Sequence, residues 1–162
     1  MITVRRAGAM DVRPMADLLN EIIRIGGTTA FTKEITAGTF LDWFRQLPER
    51  SVWHVAEDET GNLLGFQYIR PSRSLPPEAC SIATFARAGQ TGLGIGSKLF
   101  EKTAQEARAI GYAWIDATIR ADNESGLTYY QSRGFENYAR ETGVKLDNGL
   151  IVDKISKRFD LT

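Results

Sequence analysis

The sequence predicts an α/β fold in which a mixed sheet is covered by helices on both faces, and three observations carry that expectation. Some stretches repeat apolar residues at helical spacing, while shorter ones have the apolar character of strands. The strand-like stretches come first as an antiparallel run and later alternate with helices. Glycine, proline and asparagine clusters punctuate the boundaries, giving the order βααβββαβαββ within one domain over residues 1–162.

Ile2 to Arg6 is a first strand, and Asp11 is placed to cap a helix striped by Met15, Leu18, Leu19 and Ile22. Gly26-Gly27 ends that helix, and a second around Thr39 to Leu47 carries Phe40, Trp43, Phe44 and Leu47. Val52 to Ala56 and Leu63 to Ile69 flank Asp58-Glu59-Thr60-Gly61-Asn62, a strong hairpin signal. Pro71 to Glu78 is a surface loop, followed by a strand at Cys80 to Arg87. Gly94 to Ile110 is a long helix with Ile95, Leu99, Thr103 and Ala107 stacked at four-residue steps. Tyr112 to Ile119 forms a strand, Asn123 to Arg133 a helix, and Phe135 to Thr142 pairs with Leu150 to Phe159.

Composition excludes several classes of function. Twenty basic and twenty acidic residues cancel, which argues against nucleic acid as the main partner. One cysteine, Cys80, and one histidine, His54, leave no disulfide framework and no expected metal site. No apolar run approaches the ~20 residues that cross a membrane, and the start has no signal core, so a cytoplasmic enzyme or binding domain is expected.

The sharpest local signal is Thr91-Gly92-Leu93-Gly94-Ile95-Gly96-Ser97-Lys98 between a strand and the long helix. Glycines let the backbone approach a bulky anion, and a helix start offers unpaired N–H groups and a positive dipole end. A diphosphate suits such a place. Ser97-Lys98 stand in the reverse order of a Walker loop, and the third glycine comes one residue early for a dinucleotide fingerprint. Asp116, 20 residues after Gly96, lies inside a strand and is expected to face solvent rather than a ribose.

Downstream, Asn123 starts a helix that ends in Tyr129-Tyr130-Gln131-Ser132-Arg133-Gly134-Phe135. Together with Gly94-Ile95-Gly96, this segment resembles the GNAT superfamily of N-acetyltransferases. The cofactor loop of that superfamily reads Gln/Arg-x-x-Gly-x-Gly/Ala, and a Tyr-x-x-x-Gly-Phe ending follows. Order and spacing match, the element order agrees over essentially the whole chain, and Thr91 departs from the usual Gln or Arg. The resemblance implies acetyl-CoA as co-substrate, with no metal. Its diphosphate would sit over Thr91, Gly92, Leu93, Gly94, Ile95, Gly96 and Ser97. Its pantetheine arm would run beside Phe85, Ala86 and Asn123, in a gap between the Cys80–Arg87 and Tyr112–Ile119 strands.

The chain also resembles, less closely, the phosphinothricin and methionine sulfoximine acetyltransferase subgroup, through Asn20, Thr29, Phe31, Trp43 and Arg73. The subgroup's glutamate at the start of the central strand falls on Ser81, and its helix often has histidine where this chain has Tyr130. The implied acceptor is the primary amine of a small, amino-acid-like molecule. It would be acetylated by direct attack in a ternary complex, with Tyr130 as general acid and Glu78 as the candidate base. Arg73, with Arg70 beside it in sequence, is the candidate for a substrate carboxylate, and Phe31 is a candidate pocket wall, with core packing the stronger reading for it as for Trp43 and Phe40. Cys80 lacks a nearby His or Asn partner and is expected to be packing rather than a nucleophile. A non-catalytic acyl-CoA-binding module and a peptide N-acetyltransferase remain as alternatives, and a homodimer is an open assembly.

Overall fold

Local sequence rules place twelve elements along the chain, and the computed structural model, which describes residues 1–87, 89 and 94–162, shows how they meet. In order they are β1 (Thr3–Arg6), a one-turn 3-10 helix (Ala9–Asp11), α1 (Val12–Ile25), α2 (Ala37–Arg45), β2 (Val52–Glu57) and β3 (Leu63–Arg70). There follow β4 (Ala79–Ala86), α3 (Ile95–Ile110), β5 (Trp114–Arg120), α4 (Glu124–Ser132), β6 (Glu136–Lys145) and β7 (Ile151–Asp160). The strands form one seven-stranded sheet in the order β1-β2-β3-β4-β5-β7-β6. The β4–β5 pair is parallel, and the other neighbours among the described residues are antiparallel.

Two start signals differ from expectation. Asp11 does not cap α1; its Oδ2 accepts from the Gly8 N–H at 2.7 Å, and both its oxygens accept from the Arg5 guanidinium at 2.8 Å. The arginine across the turn competes for the carboxylate that would otherwise cap the helix. The α2 helix begins two residues earlier than its apolar stripe suggests, because Thr36 Oγ1 accepts from the Thr39 N–H at 3.1 Å.

Helices lie on both faces of the sheet, as expected. On one face Met15, Leu18 and Leu19 of α1 and Phe40 of α2 pack on Trp53, Phe66 and Phe85. Phe40 anchors that layer, with ring centroids 5.5 Å from Trp53 and 5.9 Å from Phe66. On the other face Phe100, Ala104 and Ala107 of α3 and Tyr130 of α4 pack on Ile69, Cys80, Ile115 and Ala117.

The loop between α1 and α2 is tied down at both ends. Asn20 Nδ2 donates to the Ile35 carbonyl at 2.8 Å, and its Oδ1 accepts from the Ile35 N–H at 2.7 Å. Arg120 at the end of β5 donates to the Thr29 carbonyl at 3.0 Å, and Asn123 Nδ2 donates to the Thr28 carbonyl at 3.0 Å. The loop is thereby held against the C-terminal end of β5, where it walls one side of the sheet's centre.

Candidate active site

The sheet parts in its middle. β4 and β5 share only the pairs Ala79↔Trp114, Cys80↔Ile115 and Ser81↔Asp116. Beyond them β4 stays paired with β3 as far as Ala86↔Gly65, and β5 stays paired with β7 as far as Arg120↔Lys154. Each central strand thus keeps its outer neighbour while the inner edges of Ile82 to Ala86 and Ala117 to Arg120 form no ladder with each other. Backbone groups on such edges need partners, and a ligand with amides can supply them.

At the wide end of this gap lies the start of α3. Gly94 sits at φ 72° in the left-handed region that glycine enters without penalty, and Lys98 N–H donates to its carbonyl at 3.1 Å. The N–H groups of Ile95, Gly96 and Ser97 therefore precede the first intrahelical bond, and no acidic residue occupies the first turn. Such an end attracts anions. Thr91, Gly92 and Leu93, also expected to hold the diphosphate, lie outside the described residues. Gly96 has a second reason to be glycine, because a Cβ there would stand 2.5 Å from Cε1 of Tyr129. A bulky residue at Gly96 would push α4 away as well as alter the anion site.

Tyr129 and Tyr130 take different parts, and only the second was expected in the site. Tyr129 Oη donates to the Gly96 carbonyl at 2.7 Å and accepts from Gln67 Nε2 at 3.1 Å, locking α4 to the start of α3. Burial pushes its phenol up to about 12. Tyr130 is 6% exposed and its Oη lies 2.8 Å from Thr84 Oγ1, on the part of β4 that has left β5. Burial drives its pKa further up, partly opposed by the Thr84 bond, so the phenol keeps its proton at neutral pH. Thr84 and Gln67 were not singled out in the sequence; their inward polar side chains on apolar strands were the available signal.

The remaining expected residues divide. Phe85 is buried against Phe66, centroids 5.0 Å apart, so only its backbone borders the gap; Ala86 is the last residue of β4. Asn123 caps α4 by accepting from the Gly126 N–H at 3.0 Å while it holds Thr28. Phe31 is half-buried and stacks on Trp43 at 5.4 Å, in the wall formed by the α1–α2 loop. Glu78 is exposed in the loop before β4, three residues short of the end of the β4–β5 ladder, or roughly 10 Å along the strand. That sets its carboxylate back from the point where the gap begins. Arg73 is exposed in the same loop, in a turn closed by Leu75 N–H on the Ser72 carbonyl. His54 is buried on β2, two strands from the gap, and burial lowers its pKa.

Asp116 departs most from expectation. It is 5% exposed rather than solvent-facing, because Tyr138 from β6 folds over it and Trp114 packs beside it. Pairing places Arg70, Ser81, Asp116, Arg158 and Glu136 in one row across the sheet, on the face of α1 and α2.

A parallel strand pair thus parts beside a glycine-started helix, with a buried tyrosine on the next helix. The model of the acetyltransferase (GNAT) family matches residues 15–135, and the chain belongs to that family. Phosphinothricin N-acetyltransferase of Streptomyces coelicolor is 29% identical over 151 residues, covering 89% of this chain and 88% of the relative. The crystal structure of an N-acetyltransferase from Staphylococcus aureus Mu50 superposes with TM-score 0.90 at 24% identity, covering 100% and 99% of the two chains. A phosphinothricin acetyltransferase from Sinorhizobium meliloti, solved in complex with AcCoA, gives 0.88 at 20% identity over 98% of this chain and 88% of that one. The fold and the enzyme class, an acetyltransferase, therefore stand as expected.

Cys80 is fully buried, and burial pushes its thiol up to about 12, which leaves negligible thiolate at neutral pH. In the native protein it should resist a thiol-specific reagent and react only on unfolding in denaturant. Cys80→Ala should leave turnover essentially unchanged; rapid native labelling together with a dead alanine variant would restore a covalent route.

Proposed function

We propose that this chain transfers the acetyl group of acetyl-CoA to the primary amine of a small, amino-acid-like molecule by direct attack in a ternary complex. The observation that carries the reading is the gap between β4 and β5, open to the anion-attracting start of α3. The residues present suit acetyl-CoA: among the described residues a Cβ on Gly94 would meet nothing within 4 Å, and the free strand edges offer partners for amides. When bound, acetyl-CoA supplies an activated acyl group whose thiol leaves readily.

The protein's part is position and proton handling. N–H groups of Ile95, Gly96 and Ser97 would hold the diphosphate, and the inner edge of β4 at Phe85 and Ala86 would orient the arm. Tyr130 Oη holds a proton for the departing sulfur, with Thr84 fixing the direction of the hydroxyl. The phosphinothricin acetyltransferases among the relatives support a small amine as acceptor. For an acceptor carboxylate, Arg70 is better placed than Arg73. It lies in the row of Ser81 and Asp116, and its guanidinium is steadied by Gln46 Oε1 at 2.9 Å. Release of thiol from acetyl-CoA with a panel of amino acids, polyamines, aminoglycosides and peptides tests the activity; release with none of them refutes it.

Ser97→Glu separates the anion site from helix stability. A carboxylate in the first turn favours the α3 dipole yet repels a diphosphate, so cofactor affinity should fall about tenfold or more while the melting temperature holds. Calorimetric titration with acetyl-CoA checks this, and unchanged affinity would remove the diphosphate from this helix.

Arg70→Ala should raise the Michaelis constant for a carboxylate-bearing amine roughly 10- to 100-fold, with little effect from Arg73→Ala. Amidated analogues should not feel the loss. Equal effects on acids and amides would take the carboxylate out of the reading.

Tyr130→Phe keeps the ring and removes the proton. Turnover should fall about 10- to 100-fold with cofactor affinity little changed, since a thiolate is already a stable leaving group. Wild-type turnover in this variant would reduce Tyr130 to packing.

A further inference from the structure

Asp116 is a buried carboxylate that no cation among the described residues pairs with. Its Oδ1 accepts from Tyr138 Oη at 2.5 Å and its Oδ2 from Thr118 Oγ1 at 2.9 Å. Two neutral donors leave about half of the carboxylate's lone-pair sites open. Arg158 stands directly opposite in the β5–β7 ladder, where it would make a natural salt bridge. It turns away instead, its guanidinium 4.1 Å over the Trp114 ring and bonded to Asp160 Oδ1 at 2.7 Å. Arg120, farther along the same face, is taken by both oxygens of Asp122, and Arg70 by Gln46. Burial of an unpaired carboxylate is costly, so a cation that completes the site would be bound strongly.

Its position decides which cation. Asp116 is the last residue of β5 to pair with β4, beside Ser81, on the face walled by α1, α2 and their loop. Ser81 and Ala83 on β4 are half-buried and Thr118 on β5 is exposed, so the floor beside the carboxylate is open on this face. Tyr130 bonds Thr84 on the opposite face of β4. The strands thus carry a free carboxylate on one face where the gap begins and a proton donor on the other face, three residues farther along β4.

We propose that Asp116 binds the ammonium group of the acceptor and takes its proton, serving as the general base of the transfer. This inference rests on the acetyl-transfer reading above. The ammonium gives one proton to an Asp116 oxygen, and its nitrogen lone pair forms the bond to the acetyl carbon as the carbon–sulfur bond breaks. The sulfur takes a proton from Tyr130, the new amide nitrogen gives up a second proton that restores Tyr130, and one proton in all is released to solvent. A path for it is built in. Thr118 Oγ1 lies 2.9 Å from both Asp116 Oδ2 and Ser156 Oγ; its hydrogen points to the carboxylate while Asp116 is charged, and once Asp116 is protonated the two hydroxyls turn over to pass the proton outward. Tyr138 is a positioning residue, since its hydroxyl holds one oxygen and its ring closes the outer side.

Burial raises the Asp116 pKa, and the bonds from Tyr138 and Thr118 pull it back. The other groups facing it are Arg158 and Glu136 in its row and Arg70 across β4, all neutralised or more distant; Cys80 and Tyr130 lie behind the sheet. A base works only when deprotonated, so kcat/KM should fall as pH drops through the Asp116 pKa. Tyr138→Phe removes a bond that favours the charged form, so that limb should move to higher pH.

The test uses phosphinothricin as acceptor and the full chain. Asp116→Asn, which keeps the size and an acceptor for Tyr138, should bind acetyl-CoA as the wild type does. It should lose about 100-fold or more in kcat/KM near neutral pH. The deficit should shrink as pH approaches the amine's own pKa, where solvent supplies the neutral nucleophile. Independently of turnover, a 13C titration of the Asp116 carboxyl in the free protein should give a value above an ordinary aspartate, and higher again in Tyr138→Phe. Near-wild-type transfer by Asp116→Asn, a deficit equal at every pH, or an acid limb that ignores Tyr138→Phe would each overturn the role. A wild type that binds acetyl-CoA but releases thiol with no amine would instead sink the transfer reading, and this role with it.

Discussion

Everything functional in this molecule depends on one broken ladder. β4 and β5 separate after Ser81↔Asp116 because each is held from outside, β4 by β3 and β5 by β7. The gap therefore persists without strand edges collapsing together, and the helices on both faces brace it. Tyr129 is the clearest brace, joining α4 to α3 through Gly96 and to β3 through Gln67. On the other face Arg120 and Asn123 fasten the α1–α2 loop to the far end of β5. The backbone bonds forgone in the middle of the sheet leave the free edges on which the proposed cofactor arm would bind.

Desolvation then assigns the chemistry, acting on three buried groups with three results. For Tyr130 it raises a pKa that was already high, which keeps the phenol protonated at neutral pH. For Cys80 it removes the thiolate and with it any nucleophilic role. For Asp116 it acts against two hydrogen bonds, which bring the carboxyl back toward the charged form that can receive a proton. An acid and a base thus arise from one low-dielectric region, set apart by which neighbours donate to them.

The element order and both helical layers were legible because apolar periodicity is local and strong in α1 and α3. The start of α3 was legible for the same reason, since Gly94-Ile95-Gly96 sits at a boundary fixed by its neighbours. What escaped was set by side-chain pairings that no apolar period reports. Asp11 was diverted from capping by Arg5 across a turn, and Asp116 is buried by Tyr138, 22 residues later. Glu78 was favoured by nearness along the chain to the central strand, but ladder register puts Asp116, 35 positions past Ser81, beside it instead. Thr84 and Gln67 carried no motif; their role appears only when α4 is laid over β4 and β3.

The row Arg70, Ser81, Asp116 also gives the acceptor face a polarity. Adjacent strands lie about 4.8 Å apart, so roughly 10 Å separates the Arg70 and Asp116 backbones, and a flexible arginine side chain can close most of that distance. An ammonium at Asp116 and a carboxylate toward Arg70 would lie along the row, with the small Ser81 between them leaving room for the carbon that joins the two. A glutamate at position 81 would fill that room and place a second carboxylate next to the first. Two buried like charges side by side would hold one of them protonated. Serine on β4 and aspartate on β5 are therefore consistent with each other: the small residue makes space for the acceptor, and the carboxylate remains single.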